Sequence, residues 1–276
     1  MKKTFSLIAV LLITAGHLTA DRFLDLQLGR ITGQSVVAKF GKGPDCDSAI
    51  TTDIWDGASG VAPTWVAPTE ARVHAVVSTD VGDTAAGAGA RTVRIFGLTD
   101  WTDSGYASET VTLNGTTPVN TQNSYVIIHR GFIASAGDSG PNIGNITMTA
   151  ATDATVTAQI LAGEGQTQMA IYGIPAGHVA IVADYQAAII RGGGTAAAEI
   201  ALAVNNIPTE TLAGGFRLQH TLGVQSNGST FSRGELAVGI KVDGPAIIKV
   251  QANATANNTI VHAGFDFLLV DLNPYN

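Results

Sequence analysis

Three side chains stand in the chain order of a charge-relay triad: His74, Asp100 and Ser139. Ser139 lies in Gly137-Asp138-Ser139-Gly140, a string that can seat a nucleophilic serine. Such chemistry needs the hydroxyl held against an imidazole that a carboxylate orients. Here the string sits among small turn-forming residues and runs directly into Pro141. His74 belongs to Arg72–Ser78, whose side chains alternate as those of a strand do. A four-residue match arises easily by chance in a chain with 32 glycines. The sequence predicts no catalytic residues and no enzyme.

Metal chemistry would need oxygen or nitrogen ligands at set spacings. The acids Asp45, Asp47, Asp53 and Asp56, then Asp80 and Asp83, then Asp100 and Asp103, cluster on turns. None follows the spacing of a calcium loop. Short Asp side chains more often accept backbone N–H groups in turns. The histidines at 17, 74, 129, 178, 220 and 262 are isolated from one another, which argues against zinc. Cys46 is the one cysteine, so no intrachain disulfide forms, and it reads as a small half-buried side chain. No metal and no cofactor is expected.

The chain has 276 residues, 45% of them hydrophobic and only 13% charged. The charged share is about half the usual quarter. Its polar surface must then be largely hydroxyls and amides, which pair across an interface without the desolvation cost of charges. That composition favours an assembled protein. A formal net charge of −7, with scattered Lys and Arg, excludes an extended phosphate-binding face and hence direct nucleic-acid binding.

The elements read as strands throughout. Arg72–Ser78, Thr92–Phe96, Glu109–Leu113, Asn123–Phe132 and Ile143–Thr149 form a first group. Gly87-Ala88-Gly89 and Asn114-Gly115 mark reversals between them. After a boundary at Ala150–Ala154, a second group is predicted at Val156–Leu161, Gln168–Ile174, His178–Ile190, Ala197–Val204, Phe216–Val224, Gly234–Val242, Ile247–Ala252 and Thr259–Asp271. No stretch sustains a capped helical stripe. The predicted fold class is all-β: two β-sandwich, jelly-roll-like units with an extended N-terminal arm. The domain limits are 1–40 for the arm, 41–150 for the first unit and 151–276 for the second.

The arm opens with Lys2-Lys3, an apolar run from Phe5 to Ala15, and Leu18-Thr19-Ala20 before Asp21. This has the layout of an export signal, and equally of an apolar arm that packs on a neighbour. The run is too short to span a membrane comfortably. Phe23–Phe40 alternates as one or two strands interrupted at Gly29 and Gly33. Gly41–Pro68 loses periodicity and reads as a long connection carrying Trp55 and Trp65.

The succession DTAAGAGARTVRIFGL, SETVTLNGTTPVNTQNSYVIIHRGFIASAG and GNITMTA resembles a group of tailed-bacteriophage virion structural proteins. The stretches KFGKGPDCD…DIWDG and VTAQILAGEGQTQMAIYGIPAGHVAIVADYQAAI are similar to the same group, so the resemblance covers about Lys39 to Ile190. It implies a capsid- or tail-associated role, with capsid decoration (cement) preferred. The partners it implies are the major capsid protein and further copies of the chain, as a homo-oligomer (a trimer or a dimer), with no membrane. Location would be the capsid exterior, or secretion if residues 1–20 are a cleaved signal. Amphipathic character nominates Phe23, Leu24, Leu26, Leu28 and Phe40 of the arm, with Trp55, Trp65 and Trp101, as interface residues. The alternative is a tail-associated or secreted sandwich binding cell-surface glycans, with Trp101 and Tyr106 as stacking groups.

Overall fold

The computed structural model describes residue 22 and residues 24–190, 195–209, 215–226 and 229–274. Every long element among them is a strand. In chain order they are β1 (Gln34–Cys46), β2 (Thr51–Asp53), β3 (Arg72–Ser78), β4 (Ala90–Leu98), β5 (Tyr106–Thr112), β6 (Val119–Tyr125), β7 (Ile127–Ala136), β8 (Ile146–Ala150) and β9 (Val156–Ile160). Then follow β10 (Ile171–Ile174), β11 (His178–Ile190), β12 (Ala196–Asn205), β13 (Arg217–Ser226), β14 (Ser229–Asp243), β15 (Ala246–Ala254) and β16 (Thr259–Asp271).

Four open antiparallel sheets result, as the predicted all-β class requires. One sandwich stacks the sheet β6-β3-β8-β9 on β5-β4-β7. The other stacks β1-β16-β11-β14 on β10-β15-β12-β13, with β2 added beside β15. Each encloses its own apolar cluster. Val76, Ile95, Ile128, Ile146 and Met148 belong to the first, and Val182, Ile200, Leu202, Val250, Phe265 and Phe267 to the second. Burying each such side chain contributes about 2 kcal/mol, so both units hold cores of their own.

The chain divides elsewhere than at residues 40 and 150. Strand β1 pairs along its length with β16, from Gln34 opposite Val270 to Cys46 opposite Thr259, and β2 pairs with β15. Residues 34–53 are therefore part of the C-terminal sandwich, and the other sandwich is inserted between β2 and β10. Strand β9 pairs with β8, so it too belongs to the inserted unit. Upstream of β1 the expected alternation fails. Leu28 N donates to Leu24 O at 2.9 Å and Arg30 N to Asp25 O at 2.8 Å, a helical turn that precedes the strand.

One further local reading changes, and one turn stands. Asn123–Phe132 is two strands in different sheets, with Tyr125, Val126, Ile127 and Ile128 buried in succession where the chain crosses between layers. Asn114-Gly115 does turn the chain, with Gly115 at φ +59° and Thr117 N donating to Asn114 O at 3.1 Å. It carries the chain from β5 to β6 in the opposite sheet, so no hairpin forms there.

The connection after β2 is ordered by its tryptophans. Trp55 and Trp65 are 1% and 2% exposed, and both join the core of the inserted sandwich. The Trp65 indole donates to Thr157 O at 2.8 Å, and the Trp55 indole to Ala62 O at 3.2 Å. This loop ties one sandwich to the other. Beneath it, a Cβ on Gly41 would lie 2.5 Å from both Ala170 N and Ile54 O, so only glycine lets β1 pass this close.

Candidate functional site

The triad does not form. Ser139 donates its backbone N–H to Ala88 O at 2.8 Å, on a turn. His74 is buried in β3, with Nδ1 2.9 Å from Arg72 O and no partner for Nε2. Burial pushes its pKa down to about 4, so it stays neutral. Asp100 accepts from Thr102 N at 2.7 Å, closing its own turn. No hydrogen bond joins the three among the described residues.

The acidic clusters are spent on structure. Asp80 accepts from Gly82 N at 2.7 Å, and Asp47 from Asn258 N at 3.0 Å. Asp83 is fully buried and accepts from Ser78 Oγ (2.6 Å), Ala90 N (2.7 Å), Ile143 N (2.9 Å) and Gly144 N (2.9 Å). Burial alone would raise its pKa, but these four donors outweigh it and hold the carboxyl below its ordinary value. Asp83 thus pins the β3–β4 loop to the strand entering β8. Asp53 accepts from Lys249 Nζ at 2.7 Å and from Trp65 N at 2.8 Å, locking β2 to β15 and to the tryptophan loop.

Among the described residues the grouping nearest to a metal-ligand set is Asp103, His178 and Asp271, whose ligand atoms lie within 4.8 Å of one another. His178 and Asp271 are cross-strand partners at the ends of β11 and β16, and Asp103 comes from the β4–β5 loop. His178 Nδ1 is already 3.1 Å from Asp103 Oδ1, a contact that bridges the two sandwiches. Sequence spacing concealed the grouping, because its members come from three distant segments.

The feature with no internal explanation is the outer face of the β1-β16-β11-β14 sheet. Strand pairing aligns Val36 with Leu268 and Leu268 with Ile181, an apolar row across three strands. A second row runs Lys42, His262, Ala188, Phe231, and Phe40 stands between the two on β1. Val36 is 41% exposed, Ile181 38%, Phe40 45% and Phe231 61%, while Val238, where β14 bulges, is 92% exposed. Between the two rows runs a charged band, Ala38 opposite Asp266 and Asp266 opposite Asp184, with Arg233 on Asp184, so the exposed apolar side chains stand in separate groups on this face; exposed apolar groups of this size are where a partner surface would sit.

The nominated interface residues separate on this map. Phe40 lies on the exposed face, while Leu24 and Leu28 are exposed and Leu26 half-buried on the helical turn before β1. Phe23 and residues 1–21 lie outside the described residues. Trp55 and Trp65 are core residues, because a buried indole finds its N–H partner inside this chain. Trp101 is half-buried and packs on the inserted core, 3.1 Å from where a Gly173 Cβ would stand. Sequence reading missed Val36, Ile181, Phe231 and Val238. The only available signal was apolar residues on both faces of long strands.

No family model matches the chain, and no curated protein matches it. Two solved structures align with it. One, described as the structure of infectious bursal disease virus Gt strain, has 8% identity and a TM-score of 0.14 over 86% of this chain and 81% of that one. The other, the D431N mutant VP2 protein of infectious bursal disease virus in derived T=1 particles, has 8% identity and a TM-score of 0.14 over 86% and 78%. Likeness at that TM-score carries no argument about this chain.

Proposed function

We propose that the chain is a non-enzymatic virion structural protein that works by assembly, and that its role is capsid decoration on a tailed-phage head. The observation that carries this reading is the apolar outer face of the β1-β16-β11-β14 sheet. Copies of the chain meet through that face as a small symmetric oligomer. The oligomer then bridges capsomers, and binding to the assembled shell alone stabilises the shell by mass action. The similarity of residues 39–190 to virion proteins supports the same role, as does a surface poor in charge.

The glycan-binding alternative loses one of its two stacking groups, since Trp101 spends its ring on packing, while Tyr106 is 41% exposed. Mixing the purified protein with emptied tailed-phage heads and pelleting the heads tests the proposal. Saturable co-sedimentation, with heads that withstand heating better, is the expected result. Absence of binding to heads, together with glycan binding that Trp101→Ala abolishes, would transfer the protein to the alternative class.

A further inference from the structure

A cleft of about 480 Å³ lies where the two sandwiches meet. That volume is in the range of small-molecule sites, which favour junctions between domains. Strand β1 supplies one wall, β4, β5 and β7 the other, and Tyr172 of β10 closes one end. The lining is aromatic. Phe96 and Phe132 stack at 5.9 Å with 21° between planes, and the His129 ring lies on Tyr172 at 4.0 Å. Phe40 and Tyr106 complete the apolar surround.

Lys39 projects its amine into this setting. Nζ donates to His129 O at 2.6 Å, and no carboxylate belongs to the lining. The charge beside it is Arg130, of the same sign, and burial together with that neighbour pushes the Lys39 pKa down to about 7. A cation taken out of water normally brings its counter-ion with it. Elsewhere in this molecule that rule holds, since Lys249 is buried against Asp53 and Lys42 lies against Glu164 at 2.8 Å. Among the described residues no carboxylate pairs with Lys39, whose hydrogen-bond partner is the His129 carbonyl. Arg130 sits 5.5 Å over the Phe132 ring and adds a second positive group to the same lining.

We propose that this cleft binds a small, flat organic anion, in chemical class an aryl carboxylate, whose charge meets the Lys39 amine and whose ring lies against Phe132 and Phe40. Two cations at a largely apolar site suit one anionic group on a flat ring far better than a polyphosphate, which would need many more donors. Binding protonates the amine and replaces its unfavourable neighbour with a favourable one. The other titratable groups facing Lys39 do not change charge near neutrality. Burial and the Lys39 charge push His129 down to about 3, burial pushes Tyr106 and Tyr172 up, and the Arg130 guanidinium is a permanent cation. Affinity should then be level below neutral pH and fall as pH rises above the Lys39 value, with a proton taken up on binding.

Calorimetric titration of the full chain with naphthoate, at about pH 6 and about pH 9, tests the proposal. One saturable site is expected, tighter by about tenfold or more at the lower pH. Lys39→Met should weaken it by about tenfold or more, Lys39→Arg should retain most of the affinity, and naphthalenemethanol, with the same ring and no charge, should bind far more weakly. The arginine variant keeps the result interpretable if the methionine variant fails to fold. No saturable heat up to millimolar naphthoate, equal binding by Lys39→Met, or equal binding of the uncharged alcohol would each overturn the proposal. The assembly test is separate, because it varies Val36 and Ile181, which lie outside the cleft lining, and leaves Lys39 and the shared Phe40 unchanged.

Discussion

Asp56 is a buried carboxyl with one partner too few. Its Oδ2 accepts from Gln168 N at 2.8 Å, while Oδ1 has none. Burial pushes the pKa up to about 8, and the repulsion of Glu164 adds to it against the pull of the Gln168 N–H and Lys42. The folded chain therefore keeps a proton that the unfolded chain releases near pH 4. The sign follows: this group's contribution to stability is full below about pH 4 and declines as pH rises towards about 8. Asp56→Asn, which mimics the protonated acid, should flatten that part of the stability–pH curve. It should also raise stability at neutral pH by on the order of 1–3 kcal/mol, measured by urea denaturation at stepped pH. In the sequence Asp56 was one of four nearby acids with nothing to distinguish it. Its environment comes from Gln168 and Glu164, more than a hundred positions away, which no local pattern reveals.

At the scale of the element, Arg72–Ser78, His178–Ile190 and Thr259–Asp271 were legible to the residue. Each is a run of β-branched and aromatic side chains bounded by turn formers, a signal that needs no knowledge of the partner strand. Residues 41–46 and 51–53 were not legible. The segment 42–46 looks like a loop and becomes strand only because Thr259–Asp271 offers it an open edge, and Thr51–Asp53 likewise because Ala246–Ala254 does, both some two hundred residues on. Strand pairing of that sequence separation overrides local propensity. Gly41 is where this long-range pairing is tightest. Gly41→Ala should cost about 3 kcal/mol by forcing a methyl into two backbone atoms, and hydrogen exchange should show β1 losing protection while β3 and β8 keep theirs.

For the whole molecule, the sequence conveyed two all-β units but placed the seam wrongly, because an insertion leaves no mark in strand periodicity. The chain begins the C-terminal sandwich, leaves to build the other, and returns. Removing residues 1–46 should strip the edge of β16, take away the β1 wall of the cleft with Lys39 itself, and cost several kcal/mol or solubility, as followed by thermal denaturation. The exposed face was legible only as a bias: little charge and many apolar residues forecast surfaces that want covering. Which rows they form depends on register, which only the paired strands reveal.

Sedimentation equilibrium of the purified full chain, beside a Val36→Lys, Ile181→Lys double variant, bears most directly on assembly. The outer β1-β16-β11-β14 face predicts a discrete oligomer for the native chain and a monomer for the double variant, whose melting temperature stays within a few degrees after allowance for lost association. A native chain that sediments as a monomer at every concentration, or a double variant that still assembles, would contradict it.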